Sequence, residues 1–169
     1  AIQKYGGYID KFIGDAVMAI FGVPQTHEDD AERALLAALE MRQMIHDYSL
    51  KLKAQKGFGI TMRTGIHIGL VATGRVIEEM KKSFTVVGDA VNTAARMEQN
   101  AKPGEILVTE QIYELTHHAF EFEKRERITV KGKTELIQTY VLLKVHKHEQ
   151  RIRGFYSRQL PFIGRKKTL

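Results

Sequence analysis

Asp15 stands beside Gly14, between the short apolar runs Tyr8–Ile13 and Ala16–Phe21. A Gly-Asp pair in that setting makes a tight hairpin, and a carboxylate at its tip can reach into a cleft. Hard cations such as magnesium take such oxygen donors, usually one or two carboxylates plus a substrate's phosphates. An aspartate that only makes the turn fits the same spacing, and spacing alone favours that plainer role. A second set lies in SFTVVGDAVNTAARM, residues 83–97. There Thr85 faces away from Phe84 and Val86 on a strand, and Asn92 and Arg96, four apart, share one face of the following helix. An arginine so placed can stabilise charge on a transferring phosphoryl group, and an asparagine can orient a sugar. Taken singly, each reads better as a solvated surface residue. Lys131 and Lys133 flank Gly132 in VKGKT, which suits a triphosphate clamp or a plain exposed turn. It is not a P-loop, because G-x-x-x-x-G-K-[ST] is absent. His67, His117 and His118 lack metal-ligand spacing and read as structural.

The elements that must position these residues follow from periodicity. Residues 26 to about 55 form a long amphipathic helix, with apolar steps at Ala31, Leu35, Ala38, Met41, Ile45, Tyr48 and Leu52. Glu28, Asp29 and Asp30 fall in its expected first turn, where the helix dipole favours negative charge. Arg33, Glu40, Gln43, Asp47 and Lys51 mark its wetter face. Ile60 to Ile68 alternates as a strand. Gly65, Gly69 and Gly74 thin the next hairpin, which implies close approach of backbone to something. Ser83–Val87 is a strand, and Gly88 turns the chain into a helix over Asp89–Asn100. Pro103-Gly104 ends that helix. Ile106–Val108 reads as a strand, Glu110–Thr116 as a helix, and Phe120–Val130 and Gln138–Val145 as two closing strands. The whole is α+β, with an antiparallel sheet and helices on one face.

Length and charge bound the rest. The 169 residues suit one domain, and 43% hydrophobic content is ordinary for a globular fold. With no cysteine there is no disulfide, thiolate zinc site or cysteine nucleophile. No apolar run approaches the roughly 18–20 residues of a membrane span, and AIQKYGGYID is not a signal peptide. The net charge of +6 lies entirely in residues 147–169, which hold seven basic residues and the single acid Glu149. A neutral body argues against a nucleic-acid-binding module. The basic tail reads as a solvated linker.

Four motifs, GGYIDKFIGDAVMAIFG at 6–22, RTGIHIGLVATG at 63–74, FTVVGDAVNTAARM at 84–97 and ITVKGK at 128–133, together resemble class III nucleotide cyclase catalytic domains. The resemblance runs in order from residue 6 to about 145. It implies a ferredoxin-like βαββαβ core, two domains meeting head to tail, and active sites between them. It implies attack of a ribose 3′-hydroxyl on the α-phosphate of a nucleoside triphosphate, release of pyrophosphate, and two divalent cations, Mg2+ or Mn2+. By this resemblance Asp15 is a metal ligand, Lys11 and Thr85 read the base, Asn92 positions the ribose, Arg96 stabilises the transition state and Lys131 binds triphosphate. Lys133 is the alternative to Lys131 in that role. Lysine at 11, where guanylyl cyclases usually carry glutamate, points to ATP. Threonine at 85 resembles the subgroup that includes bicarbonate-responsive soluble cyclases. An ammonium donating to adenine N1 and a hydroxyl accepting from the exocyclic amine would reject guanine, whose edge is reversed there.

The sequence departs from the family pattern at its start. The opening strand with the first metal aspartate, in a segment resembling F-x-D-I-x-G-F, is absent. The expectation is therefore a domain over 1–145 that lacks its first strand and early helices, roughly 45 residues by typical element lengths. Such a piece is expected to be inactive alone and, with an exposed sheet edge, prone to associate. A basic linker is expected over 146–160, and LPFIGRKKTL resembles the entry to a signalling NTPase module at 161–169. The expected function is cytoplasmic conversion of ATP to cyclic AMP by a homodimer, or by this domain paired with a second cyclase domain in the same chain. The alternative is a degenerate cyclase-like domain that dimerises or senses nucleotide.

Overall fold

The structure, a computed structural model, describes residues 1–78, 81–129 and 136–146, with residues 73–78 and 81–87 described as backbone. The first hairpin forms as its turn chemistry dictates. Strands β1 (Tyr8–Ile13) and β2 (Ala16–Ile20) pair antiparallel, with Ile13 opposite Ala16 and only Gly14-Asp15 between them. Gly14 has φ +63° and Asp15 does not have positive φ, the pattern of a type II′ loop with glycine first.

Helix α1 spans Asp30–Lys56, four residues shorter at its start than the periodicity predicts. The reason is local. The Thr26 hydroxyl donates to the Gly22 carbonyl, and the Asp30 carboxylate accepts from the His27 N–H at 2.7 Å, so residues 26 and 27 stay irregular and 28 and 29 form a turn instead. Asp30 and Glu32 therefore occupy the first turn, and Glu28 precedes the helix. Gly57, at φ +79°, closes the other end by donating to the Lys53 carbonyl. The wetter face is drier than expected at two positions. Arg33 pairs with Asp29 at 2.8 Å, and Glu40 accepts from Lys4 and Tyr5.

Strand β3 is only Thr64–Ile66, although the alternation runs over Ile60–Ile68. Alternation fixes extended backbone, but a strand also needs a ladder. Ile60 instead donates to the Ser49 hydroxyl, and the Met62 carbonyl accepts from Gly104. Strands β4 (Ala72–Glu78) and β5 (Lys81–Val87) form a second hairpin, in the glycine-thinned region where the sequence implies one, with β5 starting two residues before the expected Ser83. Helix α2 (Asp89–Asn100), strand β6 (Ile106–Thr109) and helix α3 (Glu110–Thr116) follow, then β7 (Phe120–Lys124) and β8 (Thr139–Val145). Strand β7 is shorter than the expected Phe120–Val130, leaving one isolated bridge, Ile128 to Ile137.

The larger sheet has the order β3-β6-β8-β7. It is mixed rather than antiparallel, because β3 and β6 run parallel. Helices cover both of its faces, not one. Ile106, Val108, Tyr140 and Leu142 pack with Leu35 and Ala38 of α1 and Ile112 of α3. The alternate residues Leu107 and Val141 pack with Met97 and Ala101 beside α2. Strand β6 is buried along its whole length because both sets of side chains are covered. Gly65 explains how close α2 comes: a Cβ there would lie 2.2 Å from the Glu98 nitrogen and 2.3 Å from the Ala94 carbonyl oxygen.

Candidate active site

An open cleft of about 1960 Å3 lies between the first hairpin and the larger sheet, bordered by every residue of β2 and of β3 and by parts of α1 and α2. A pocket enclosing a small ligand measures roughly 300–1,000 Å3, so this is room for an element of structure rather than a fitted ligand pocket. Asp15 borders it, exposed at the hairpin tip. Of the other expected site residues, those with described side chains, Lys11, Asn92 and Arg96, do not.

Lys11, on β1, is 41% exposed and lies with its ammonium 3.1 Å from the Asp10 carboxylate. Thr85 is on β5, paired in register with Gly74, and β5 lies alongside β1, so the strands that carry the two expected base readers are neighbours. Asn92 is exposed and Arg96 half-buried on α2. Ala90, Val91, Ala94, Ala95 and Glu98 of the same helix border the cleft. At 100° per residue, Asn92 and Arg96 therefore share the face turned away from it. The Arg96 guanidinium donates to Gln99 Oε1 at 2.8 Å, within its own helix. Lys131 and Lys133 lie outside the described residues. One chain thus holds Asp15 toward the cleft and Asn92 with Arg96 on another side.

For a divalent cation, Asp15 offers one exposed hard oxygen donor. No group of three or more His, Cys, Asp or Glu among the described residues could hold a metal ion. A single carboxylate fits Mg2+ when a substrate's phosphates supply the remaining ligands, which is the ion's common mode of binding. The histidines take structural roles. His67 Nδ1 lies 3.0 Å from the hydroxyl of buried Thr109, His117 stacks on Tyr113, and His118 Nε2 is 3.2 Å from Glu32.

Asp10 is the residue that the sequence analysis missed. Its side chain is 2% exposed. The available signal was two adjacent opposite charges inside the otherwise apolar run YIDKFI, an unusual choice for a half-buried strand.

Residues 1–144 match the family model described as the adenylate and guanylate cyclase catalytic domain. An adenylate cyclase of Anabaena cylindrica is 36% identical over 149 residues, covering 83% of this chain and 29% of the relative. A membrane guanylyl cyclase of Dictyostelium discoideum is 31% identical over 162 residues, covering 94% of this chain and 10% of the relative. Among solved structures, the adenylyl cyclase CyaB from P. aeruginosa superposes with TM-score 0.78 at 32% identity, covering 86% of this chain and 76% of that one. The guanylate cyclase domain of RhGC from Catenaria anguillulae, in complex with GTP, gives 0.73 at 33% identity, covering 85% and 76%. The chain spans less than a third of the length of these two sequence relatives. By this match over residues 1–144, and with the α+β fold it shares with those structures, the chain belongs to the adenylyl and guanylyl cyclase catalytic domain family.

Proposed function

We propose that the protein converts ATP to cyclic AMP and pyrophosphate in sites shared between two cyclase domains, two copies of this chain or this domain and a second one. The observation that supports this most is the separation of the candidate residues. Asp15 borders the cleft while Asn92 and Arg96 face elsewhere on α2, so a full set around one nucleotide needs residues from two domains. Lys11 would donate to adenine N1, and Thr85 would accept from the exocyclic amine, on adjacent strands. This pairing would place the chain with the soluble-cyclase subgroup.

Asn92 would orient the ribose so that its 3′-oxygen lies in line with the α-phosphate. That oxygen bonds to the α-phosphorus, the bond from phosphorus to the bridging oxygen of the β-phosphate breaks, and pyrophosphate departs. The hydroxyl proton is released to solvent. Arg96, freed from Gln99, would meet the charge that grows on the phosphoryl oxygens, and Lys131 would hold the triphosphate. Mg2+ or Mn2+, bound by Asp15 together with the nucleotide's own phosphates, would supply charge neutralisation and a more acidic 3′-hydroxyl.

The cleft between β2 and β3 fits a further strand that joins the first hairpin to the larger sheet, supplied by sequence upstream of residue 1. We also propose that 146–160 is a linker and that 161–169 opens a following domain. No helix among the described residues is long and apolar enough to cross a membrane, and a cytoplasmic setting is the natural one for an ATP-consuming signalling enzyme.

Lys11→Glu tests the choice of nucleotide. The ratio of cyclic AMP to cyclic GMP formed should fall at least tenfold, because a carboxylate accepts where adenine N1 needs a donor. An unchanged ratio would overturn the assignment of Lys11.

A further inference from the structure

In a regular strand, neighbouring side chains point to opposite faces, so residues i and i+1 do not form an ion pair. Asp10 and Lys11 do, with Oδ2 and Nζ 3.1 Å apart. The register of the hairpin explains this. Ile9 pairs with Ala19 and Lys11 with Met18, which leaves Asp10 as an extra residue with no partner across the ladder. That is a β-bulge, and bulges re-aim side chains next to functional sites. Here the bulge brings the Asp10 carboxylate underneath the Lys11 ammonium.

The two side chains are buried very unequally. Asp10 is 2% exposed and Lys11 is 41% exposed. Asp10 Oδ2 has no hydrogen-bond partner among the described residues, so the Lys11 ammonium meets it as an ion-pair contact outside hydrogen-bond geometry. A buried carboxylate is costly unless it is paired, and the Lys11 ammonium is the pairing partner that the structure gives it. A lysine carries a flexible four-carbon stem, and fixing that stem before a ligand arrives removes an entropy cost from binding. The carboxylate also makes the pair neutral overall. An unpaired ammonium near a nucleoside triphosphate is drawn to phosphate, whereas a neutralised, anchored one serves as a directional donor to an uncharged ring nitrogen.

We infer that Asp10 is a positioning residue for base selection: the bulge sets its buried carboxylate against Lys11, so that Lys11 donates to the adenine ring rather than to phosphate. This rests on the reading of Lys11 as a base reader. Asp10 is too buried to touch the nucleotide itself.

The test measures equilibrium binding of ATP and GTP, with Mn2+, to the full 169-residue chain and to three variants. Asp10→Asn should weaken ATP binding roughly tenfold and leave GTP within twofold, since the charged anchor is lost while shape is kept. In a Lys11→Met background the same change should have no further effect on ATP, because Asp10 acts through Lys11. Equal losses for both nucleotides, or an undiminished loss in the Lys11→Met background, would overturn the inference and make Asp10 merely structural. If Lys11→Met alone leaves the ATP to GTP ratio unchanged, or the unaltered chain binds neither nucleotide, the underlying reading fails, and the inference with it. A measurement that needs no Asp10 variant is the NMR signal of the Lys11 ammonium in the unaltered chain. It should show restricted motion compared with Lys51, exposed on α1. Motion as free as that of Lys51 would overturn the inference.

Discussion

At the scale of single residues, the account turns on side chains whose chemistry is plain in the sequence but whose surroundings are not. Asp15, Asn92 and Arg96 stand out as candidates by their types and spacing, and Lys11 only through the resemblance that four motifs in one order carry. What the sequence hid was Asp10. A bulge shifts the strand's facing by one residue, and no alternation rule anticipates it. Arg96 is the sharpest test at this scale. It rests on Gln99 within its own helix and supports neither core cluster. Arg96→Ala should therefore lower turnover by about 100-fold or more while shifting the thermal midpoint little, as expected for a donor used chiefly in the transition state. Steady-state kinetics and a melting curve check both halves. An equal loss of folding and turnover would contradict the role.

At the scale of elements, the glycine-thinned segment illustrates what can and cannot be read from a sequence. Gly65 promised close backbone approach, and α2 lies directly against it. A methyl group there meets backbone atoms at 2.2 and 2.3 Å, and neither can rotate away. Gly65→Ala should cost about 3 kcal/mol, at the upper end for overpacking, and lower the urea midpoint accordingly. The glycines announce a hairpin in this region but not the bounds of β4, because glycine and a polar residue interrupt its pattern, and the start of α1 was misplaced because the side chains of residues 26 and 30 bond to the backbone of the preceding loop. The turn at Gln3–Tyr5 gives an element-scale prediction about pH. Hydrogen bonds from Lys4 and Tyr5 hold the Glu40 carboxyl below its usual range. A carboxyl with a depressed pKa contributes while ionised, and the contribution is lost as pH falls through the folded-state value. Amide exchange at Tyr5, Gly6 and Gly7, corrected for intrinsic rates, should speed up as pH falls below the usual glutamate range, and Glu40→Gln should speed it at neutral pH. Protection unchanged by either would show that the turn is held by its backbone bonds alone.

At the scale of the whole molecule, the mixed four-stranded sheet is covered by α1 and α3 on one face and by α2 on the other, while the first hairpin stands across an open cleft. Sequence periodicity conveyed the elements but not this layering, because β6 is buried on both sides and a continuous apolar run does not say which helix lies on which face. Two domains sharing each site make a further prediction. Asp15→Asn and Arg96→Ala variants, each inactive as symmetric pairs, should regain about a quarter of the activity when mixed in equal amounts, because half of the pairs formed at random are mixed and each of those has one intact site of two. Continued silence on mixing, with exchange of copies verified, would place the whole site within one domain.

The most direct measurement is the cyclic nucleotide formed from ATP and from GTP, with Mg2+ or Mn2+, by this chain and by a version that continues upstream of residue 1. The account predicts cyclic AMP well in excess of cyclic GMP, made by the extended version and abolished by Asp15→Asn. Cyclic GMP in excess would contradict the base reading by Lys11 and Thr85. No product from either nucleotide by a folded, paired extended protein would contradict the enzyme reading and leave a domain that binds nucleotide without converting it.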